Sequence, residues 1–149
     1  MNRLSIFVLP IVGALATGCA GSSTPDCGDP ATTSTVKQII EDAMREGLDS
    51  NREMFESMAE SFGFSVDPEL ENFELSLGNV RTQSRDDSID KYACRGDLVL
   101  TREDYKENHS LRYTSERNAE GEHYVEIQHL TDEKVGEFIG AMMLIEDEG

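Results

Sequence analysis

Three histidines are the side chains of this sequence best suited to metal binding or acid–base chemistry. They are His109, His123 and His129. The last two have the same parity in a predicted strand and so can lie on one face of it, but six residues of strand span roughly 20 Å. That separation is too large for one metal ion without a third element. We therefore interpret all three as structural or surface histidines.

The densest group of carboxylates is Asp86, Asp87 and Asp90, on a predicted loop. Carboxylate oxygens are ligands that calcium prefers, yet the spacing lacks the Asp-x-Asp-x-Asp-Gly pattern of an EF-hand loop. A solvated turn is our interpretation of this group. Weak binding of a divalent cation is the alternative.

The sequence contains none of the motifs of common nucleophilic, phosphate-binding or zinc-dependent enzymes. It has no Gly-x-Ser-x-Gly, Walker loop, Gly-x-Gly-x-x-Gly or His-Glu-x-x-His. Paired carboxylates carry little information, because Asp and Glu make up 30 of the 149 residues. We therefore assign no catalytic residue, cofactor or metal, and expect a protein that is not an enzyme.

The charge balance restricts the partners. Asp and Glu number 30 against 13 Lys and Arg, a net charge of −17, which opposes binding to nucleic acid or to anionic membrane. The same charge would attract a basic protein over a long range. Hydrophobic residues make up 38% of the chain, enough for one domain with a modest core.

Residues 1–18 have the pattern of a secretory signal. A basic residue, Arg3, precedes an apolar run over 4–15, which is shorter than the about 20 residues of a membrane-spanning helix. Pro10 lies inside that run and disfavours a buried helix. We expect residues 1–18 to be removed during export.

The sequence Leu-Ala-Thr-Gly-Cys at 15–19 resembles the lipobox of bacterial lipoproteins, in which small residues precede a lipid-bearing cysteine. The resemblance implies that Cys19 becomes the first mature residue and anchors the chain in a membrane through acyl chains. Ala20 after the cysteine favours, in that family, the outer membrane of a Gram-negative cell, with the protein facing the periplasm. Small polar residues then predict a tether over 19–33, followed by one domain over 34–146 and an acidic tail at 147–149.

The lipobox resemblance also bears on the three cysteines. An exported protein folds in an oxidising compartment, and if Cys19 carries lipid, Cys27 and Cys94 remain to form a disulfide. That bridge would fasten the mature N-terminus to the strand that carries Cys94. A redox role is the alternative, although the sequence has no Cys-x-x-Cys.

Apolar periodicity predicts helices at both ends of the domain. Thr and Ser at 32–35 offer N-caps to a first helix that Gly47 weakens or ends. A second helix is predicted over 50–62, and Thr131 caps a short C-terminal helix. One face of the second helix carries Met and Phe side chains that we interpret as core: Met54, Phe55, Met58, Ala59 and Phe62.

Alternation of apolar and polar residues predicts strands over 73–82, 90–101, 109–116 and 122–130, with a charged connection over 102–108. Helices followed by a run of antiparallel strands indicate an α+β domain. The layout resembles the cystatin-like arrangement, in which an N-terminal helix or helix pair packs on a four-stranded antiparallel meander.

Short patterns such as Tyr-Ala-Cys at 92–94 and Tyr-Val-Glu-Ile at 124–127 are similar to those of small bacterial lipoproteins of that kind. This resemblance implies the same fold and the pairing of Cys27 with Cys94. It transfers no catalytic residue.

Three functions are compatible with the sequence. The first is a lipid-anchored, non-enzymatic binding module of the bacterial envelope, directed at a basic envelope protein as an inhibitor or immunity protein would be. Its candidate contact patch consists of Arg81, Arg95, Arg112 and Tyr113. The second is a small periplasmic hydrolase or ligand-binding enzyme that uses the concave face of the sheet. The third is a structural, acidic coat lipoprotein, and we favour the first.

Overall fold

The computed structural model describes residues 23–63, 73–102 and 105–143. Within these ranges the predicted elements occur in the predicted order. They are α1 (Pro30–Ser50), α2 (Arg52–Phe62), β1 (Glu74–Asp86), β2 (Lys91–Arg102), β3 (Tyr105–Arg117), β4 (His123–Ile127) and α3 (Asp132–Met143). The predicted signal over 1–18, the lipid site at Cys19 and the acidic tail at 147–149 lie outside the described residues.

The four strands form one antiparallel sheet in the order β1-β2-β3-β4. Side chains alternate between two faces along each strand. In β2 the inner face carries Cys94, Leu98 and Leu100, which are buried. The outer face carries the alternate residues, such as Arg95 and Asp97. The α+β fold with a four-stranded antiparallel meander is therefore confirmed.

The helices α1 and α3 cover the inner face. The buried side chains of α1 recur every fourth residue, from Val36 to Leu48, and α3 adds Phe138 and Ile139 to the same core. A Cβ atom on Gly47 would lie 2.9 Å from Cδ1 of Ile139. Gly47 therefore permits the close approach of α3, and the prediction that it ends the first helix is wrong, because α1 continues to Ser50.

The first helix begins before the predicted caps at 32–35. Asp29 is the N-cap, and its Oδ1 accepts a hydrogen bond of 2.8 Å from the N–H of Ala31. Pro30 stands in the first turn, where its missing N–H costs nothing. The hydroxyls of residues 33–35 instead donate to carbonyls of the preceding turn, as Thr35 Oγ1 does to Ala31 O at 2.8 Å. The Thr32 hydroxyl is buried and lies 3.3 Å from Ser115 Oγ.

The second half of the predicted tether packs on the sheet. Thr24 is buried, and its N–H donates to Asp90 Oδ2 at 2.7 Å. The Tyr113 hydroxyl donates to the carbonyl of Cys27 at 2.9 Å. The disulfide between Cys27 and Cys94 is present, as predicted, and both cysteines are buried. Residues 24–33 thus belong to the folded domain.

The second helix is largely uncovered among the described residues. Met54 is 52% and Met58 is 42% exposed, so the interpretation of these two methionines as core is wrong. Ala59 is buried and Phe55 packs against the core. Of the described side chains of the predicted stripe, Phe55 and Ala59 are therefore the two that pack on the domain. The side chain of Phe62 lies outside the described part of the structure.

Three strand boundaries differ by three or more residues from the predicted ones. Strand β1 continues to Asp86, beyond the predicted end at 82, so Asp86 lies in the strand and not in a loop. Strand β3 already begins at Tyr105, since Lys106 pairs with Thr101 and Glu107 with Leu100. Most of the predicted charged connection over 102–108 is therefore strand. Strand β4 is shorter than predicted and ends at Ile127.

The disulfide should dominate the stability of this packing. Replacing both cysteines, Cys27→Ser with Cys94→Ser, should lower the free energy of unfolding by about 4 kcal/mol, the loop-closure value for a separation of 67 residues. Equilibrium unfolding in urea measures this change. An unchanged midpoint would show that the hydrogen bonds of Thr24 and Tyr113 hold the segment without the bridge.

Candidate functional site

Three arginines lie side by side across the outer face of the sheet. Arg81 of β1 pairs with Arg95 of β2, and Arg95 pairs with Arg112 of β3. All three are exposed. Because neighbouring strands are about 4.8 Å apart, the three positions span about 10 Å. We call Arg81, Arg95 and Arg112 the arginine row.

A β-bulge places Arg81 in the row. Up to Gly78, which pairs with Asp97, strand β1 keeps one register, and the register shifts before Arg81. In the unshifted register Arg81 would pair with Cys94 on the inner face, because a slip of one residue exchanges the two faces. Asn79, inside the bulge, has φ 48°, a left-handed conformation that Asn tolerates better than most residues. Bulges often redirect side chains in this way next to functional sites.

The arginine row is unfavourable for folding. Like charges directly opposite each other on neighbouring strands destabilise a sheet, by a few tenths to about 1 kcal/mol per pair. Arg95 gains a hydrogen bond from its Nε to Ser110 Oγ at 3.1 Å. Among the described residues, no ion pair offsets the charges of Arg81 and Arg112. The row therefore keeps three cationic groups available to solvent.

Most side chains that flank the row are short or already bonded. The exception is the exposed Glu126 of β4, which pairs with Thr114 on the same face. Ala93 pairs with Thr114 on one side of it, and Asp97 pairs with Ser110 on the other. The carboxylate of Asp97 accepts a hydrogen bond of 2.8 Å from Asn79 Nδ2. Arginine is the longest side chain of this group. The guanidinium groups are thus the part of this surface that a partner would meet first.

The charges of the domain are divided between helices and strands. The three helices hold four Lys and Arg against ten Asp and Glu. The four strands hold eight Lys and Arg against six Asp and Glu. The described loops and the N-terminal segment add six Asp and Glu and no Lys or Arg. The net negative charge of the described residues is therefore shared equally by the helices and the loops, and the arginine row lies on the face of the sheet opposite to the helices.

Tyr113, the fourth residue of the predicted contact patch, does not belong to this surface. It follows Arg112 in β3, and neighbouring residues of a strand point to opposite faces. Tyr113 is buried on the inner face, where its hydroxyl donates to Cys27 O. Burial, with a smaller effect of Asp26, raises the pKa of Tyr113 to about 12. Its role is to hold the N-terminal segment, so the prediction that it contacts a partner is wrong.

The aspartates after β1 bond to groups of the same chain. Arg85 Nε lies 2.8 Å from Asp87 Oδ1, and Arg85 Nη2 lies 3.1 Å from Asp90 Oδ1. The hydrogen bond from the Thr24 N–H, with a smaller contribution from Arg85, lowers the pKa of Asp90. The N-terminal segment is therefore attached to this turn through the hydrogen bond from Thr24 to Asp90.

Asp86, the last residue of β1, likewise has partners in the turn that follows it. The hydroxyl and the N–H of Ser88 both donate to its Oδ1, at 2.5 and 3.0 Å, and lower its pKa. In the part of the chain that the structure describes, no group of three His, Cys, Asp or Glu is arranged to hold a metal ion. The three carboxylates that we considered for calcium are therefore bonded to groups of the same chain: Asp86 to Ser88, and Asp87 and Asp90 to Arg85.

A serine and a histidine come together under α1. Ser115 Oγ lies 2.9 Å from His123 Nε2, a distance at which a base can activate a nucleophile. Ser115 is fully buried, however, and its Oγ lies 2.7 Å from the carbonyl of Pro25. A carbonyl only accepts, so the hydroxyl proton goes to Pro25 and His123 donates through Nε2. The pair connects the N-terminal segment to β4 and is structural.

The other two histidines lie in separate places. The ring of His109 packs edge-on against Phe138, with 4.8 Å between centroids. His129 is exposed in the turn after β4 and has φ 59°. The predicted sharing of one strand face by His123 and His129 is wrong, because β4 ends before His129.

No family model matches the chain, and comparisons with curated proteins and with solved structures found no similar protein. Membership of a lipoprotein family, which the sequence patterns suggest, stays a prediction. Within the described ranges, no helix is long and apolar enough to cross a membrane.

Burial lowers the pKa of both His109 and His123. Because their folded pKa values lie below the ordinary value of about 6.5, the unfolded chain takes up protons first as the pH falls. The free energy of unfolding should therefore be constant above about pH 6.5 and decrease below it. Urea unfolding over this range measures the effect.

His123→Gln keeps an N–H donor for Ser115 but removes the titration, so it should reduce the loss of stability below about pH 6.5. His129→Gln, at an exposed position, is the matched control and should keep the wild-type profile. Equal profiles for both variants would contradict the role given to His123.

Proposed function

We propose that this protein is a lipid-anchored, non-enzymatic binding module of the bacterial envelope. In this proposal residues 1–18 direct export and Cys19 carries the lipid. The arginine row supports the binding activity, since it places three like charges together at a cost in stability. Places where a sequence breaks a local folding rule are where function is expected. Anionic groups of a partner would offset the repulsion.

The net charge and the arginine row would act at different distances. Removal of residues 1–18 takes away Arg3, so the net charge of −17 becomes −18. This charge attracts a basic protein during diffusional encounter, although salt screens exposed charges beyond about 8 Å. At contact, the guanidinium groups pair best with carboxylates, to which arginine can donate two parallel hydrogen bonds. The partner we propose is thus a basic envelope protein that presents acidic side chains at the contact. An inhibitor or immunity protein would use such a surface.

Strand β3 offers a matched pair of variants to test this proposal. Arg112→Ser removes one positive charge from the arginine row, and Lys106→Ser removes one from the same face of the same strand outside the row. A photo-crosslinker at the exposed Asn108, between the two positions, would capture a partner in intact envelopes. We expect Arg112→Ser to reduce capture by about tenfold or more, the loss of one charge-assisted contact, and Lys106→Ser to change it little.

Equal capture by the two variants would contradict binding at the row. If both variants capture the partner equally at low salt and both lose it at high salt, the binding depends on net charge and not on the arginine row. Failure of the wild-type protein to capture any protein would contradict the binding module itself.

A further inference from the structure

The N-terminal segment leaves the domain at one end of the sheet. Ser23 O accepts from Arg117 Nη2 at 3.5 Å, and the Thr24 N–H donates to Asp90 Oδ2 at 2.7 Å. Arg117 is the last residue of β3, and Asp90 lies in the turn between β1 and β2. Both contacts are therefore at the same end, which we call the near end. It carries the turn at 87–90 and the loop at 118–122.

This exit point is firmly attached. Ser115 donates to Pro25 O at 2.7 Å, and the disulfide begins two residues later at Cys27. Thr24 is buried. The position at which the chain leaves the domain is thus fixed relative to the sheet.

The chain between the anchor and the exit point is short. Three residues separate Cys19 from Ser23, and an extended chain covers at most about 3.6 Å per residue. A lipid-bearing Cys19 therefore lies within about 15 Å of the near end. The 13 residues of β3 extend roughly 40 Å, so the opposite end, which we call the far end, lies well beyond that reach.

Neither face of the sheet is attracted to an anionic surface. The outer face of the strands carries five Lys and Arg and five Asp and Glu, and the helices on the inner face are strongly acidic. Membrane surfaces are negatively charged and would repel this domain. A domain held at one end and repelled as a whole extends away from the surface.

We propose that the near end faces the membrane and the far end points away from it, so that the arginine row faces sideways. Arg95 lies four residues from Lys91 at the near end of β2, or about 13 Å along the strand. The row is thus presented to a neighbouring envelope protein and not to lipid headgroups. This inference rests on the proposed lipid anchor at Cys19.

Single tryptophans can test the orientation, because the chain contains no Trp. Ile89, 56% exposed, lies in the near-end turn, and Tyr105, 42% exposed, lies at the far end. Ile89→Trp and Tyr105→Trp are therefore matched substitutions at exposed apolar positions. The lipidated variants are placed in vesicles that contain a dansylated headgroup lipid. We expect energy transfer from residue 89 to be several-fold greater than from residue 105.

Equal transfer from both positions, or greater transfer from residue 105, would overturn the orientation. Adding Cys19→Ala to either variant should abolish both transfer and sedimentation with the vesicles. If the protein with Cys19 intact does not sediment with vesicles, the proposed anchor fails and the orientation fails with it. If it sediments but shows equal transfer, the orientation alone is wrong.

Discussion

The attachment of residues 23–29 to the sheet is the interaction on which the rest of this structure depends. The disulfide and the Tyr113 hydroxyl hold Cys27 on the inner face, and Asp29 then starts α1 above that face. Among the described residues, α1 and α3 fill the inner face and no element covers the outer face, which is therefore the one that we propose for a partner. The same attachment fixes where the chain leaves the domain. It therefore determines both the core and the direction of the proposed anchor.

The sequence predicts the faces of the strands well, because a period of two follows directly from backbone geometry. Cys94, Leu98 and Leu100 share a parity and share the buried face. The arginine row is different. Arg81, Arg95 and Arg112 are visible as exposed strand residues, but their alignment depends on strand register and on the bulge before Arg81. A bulge depends on local turn and pairing geometry that periodicity does not encode.

Helical periodicity shows which side chains share a face, not whether anything covers that face. The stripe of α2 is regular, yet among its described side chains Phe55 and Ala59 meet the core while Met54 and Met58 are exposed. The buried contact between Ser115 and His123 likewise joins two strands with the N-terminal segment. No local pattern predicts it, because Pro25, which accepts the Ser115 proton, is 90 residues away in the chain.

In the proposed function, the three arginines repel one another and are kept together for binding. A double-mutant cycle of Arg95→Thr and Arg112→Thr, followed by urea unfolding, measures this directly, because threonine suits a strand and carries no charge. We expect neither single variant to be much less stable than the wild type. The pair should show an unfavourable coupling of a few tenths to about 1 kcal/mol. A favourable coupling, or a marked loss of stability in each variant, would show that the arginines stabilise the sheet and would contradict the claim.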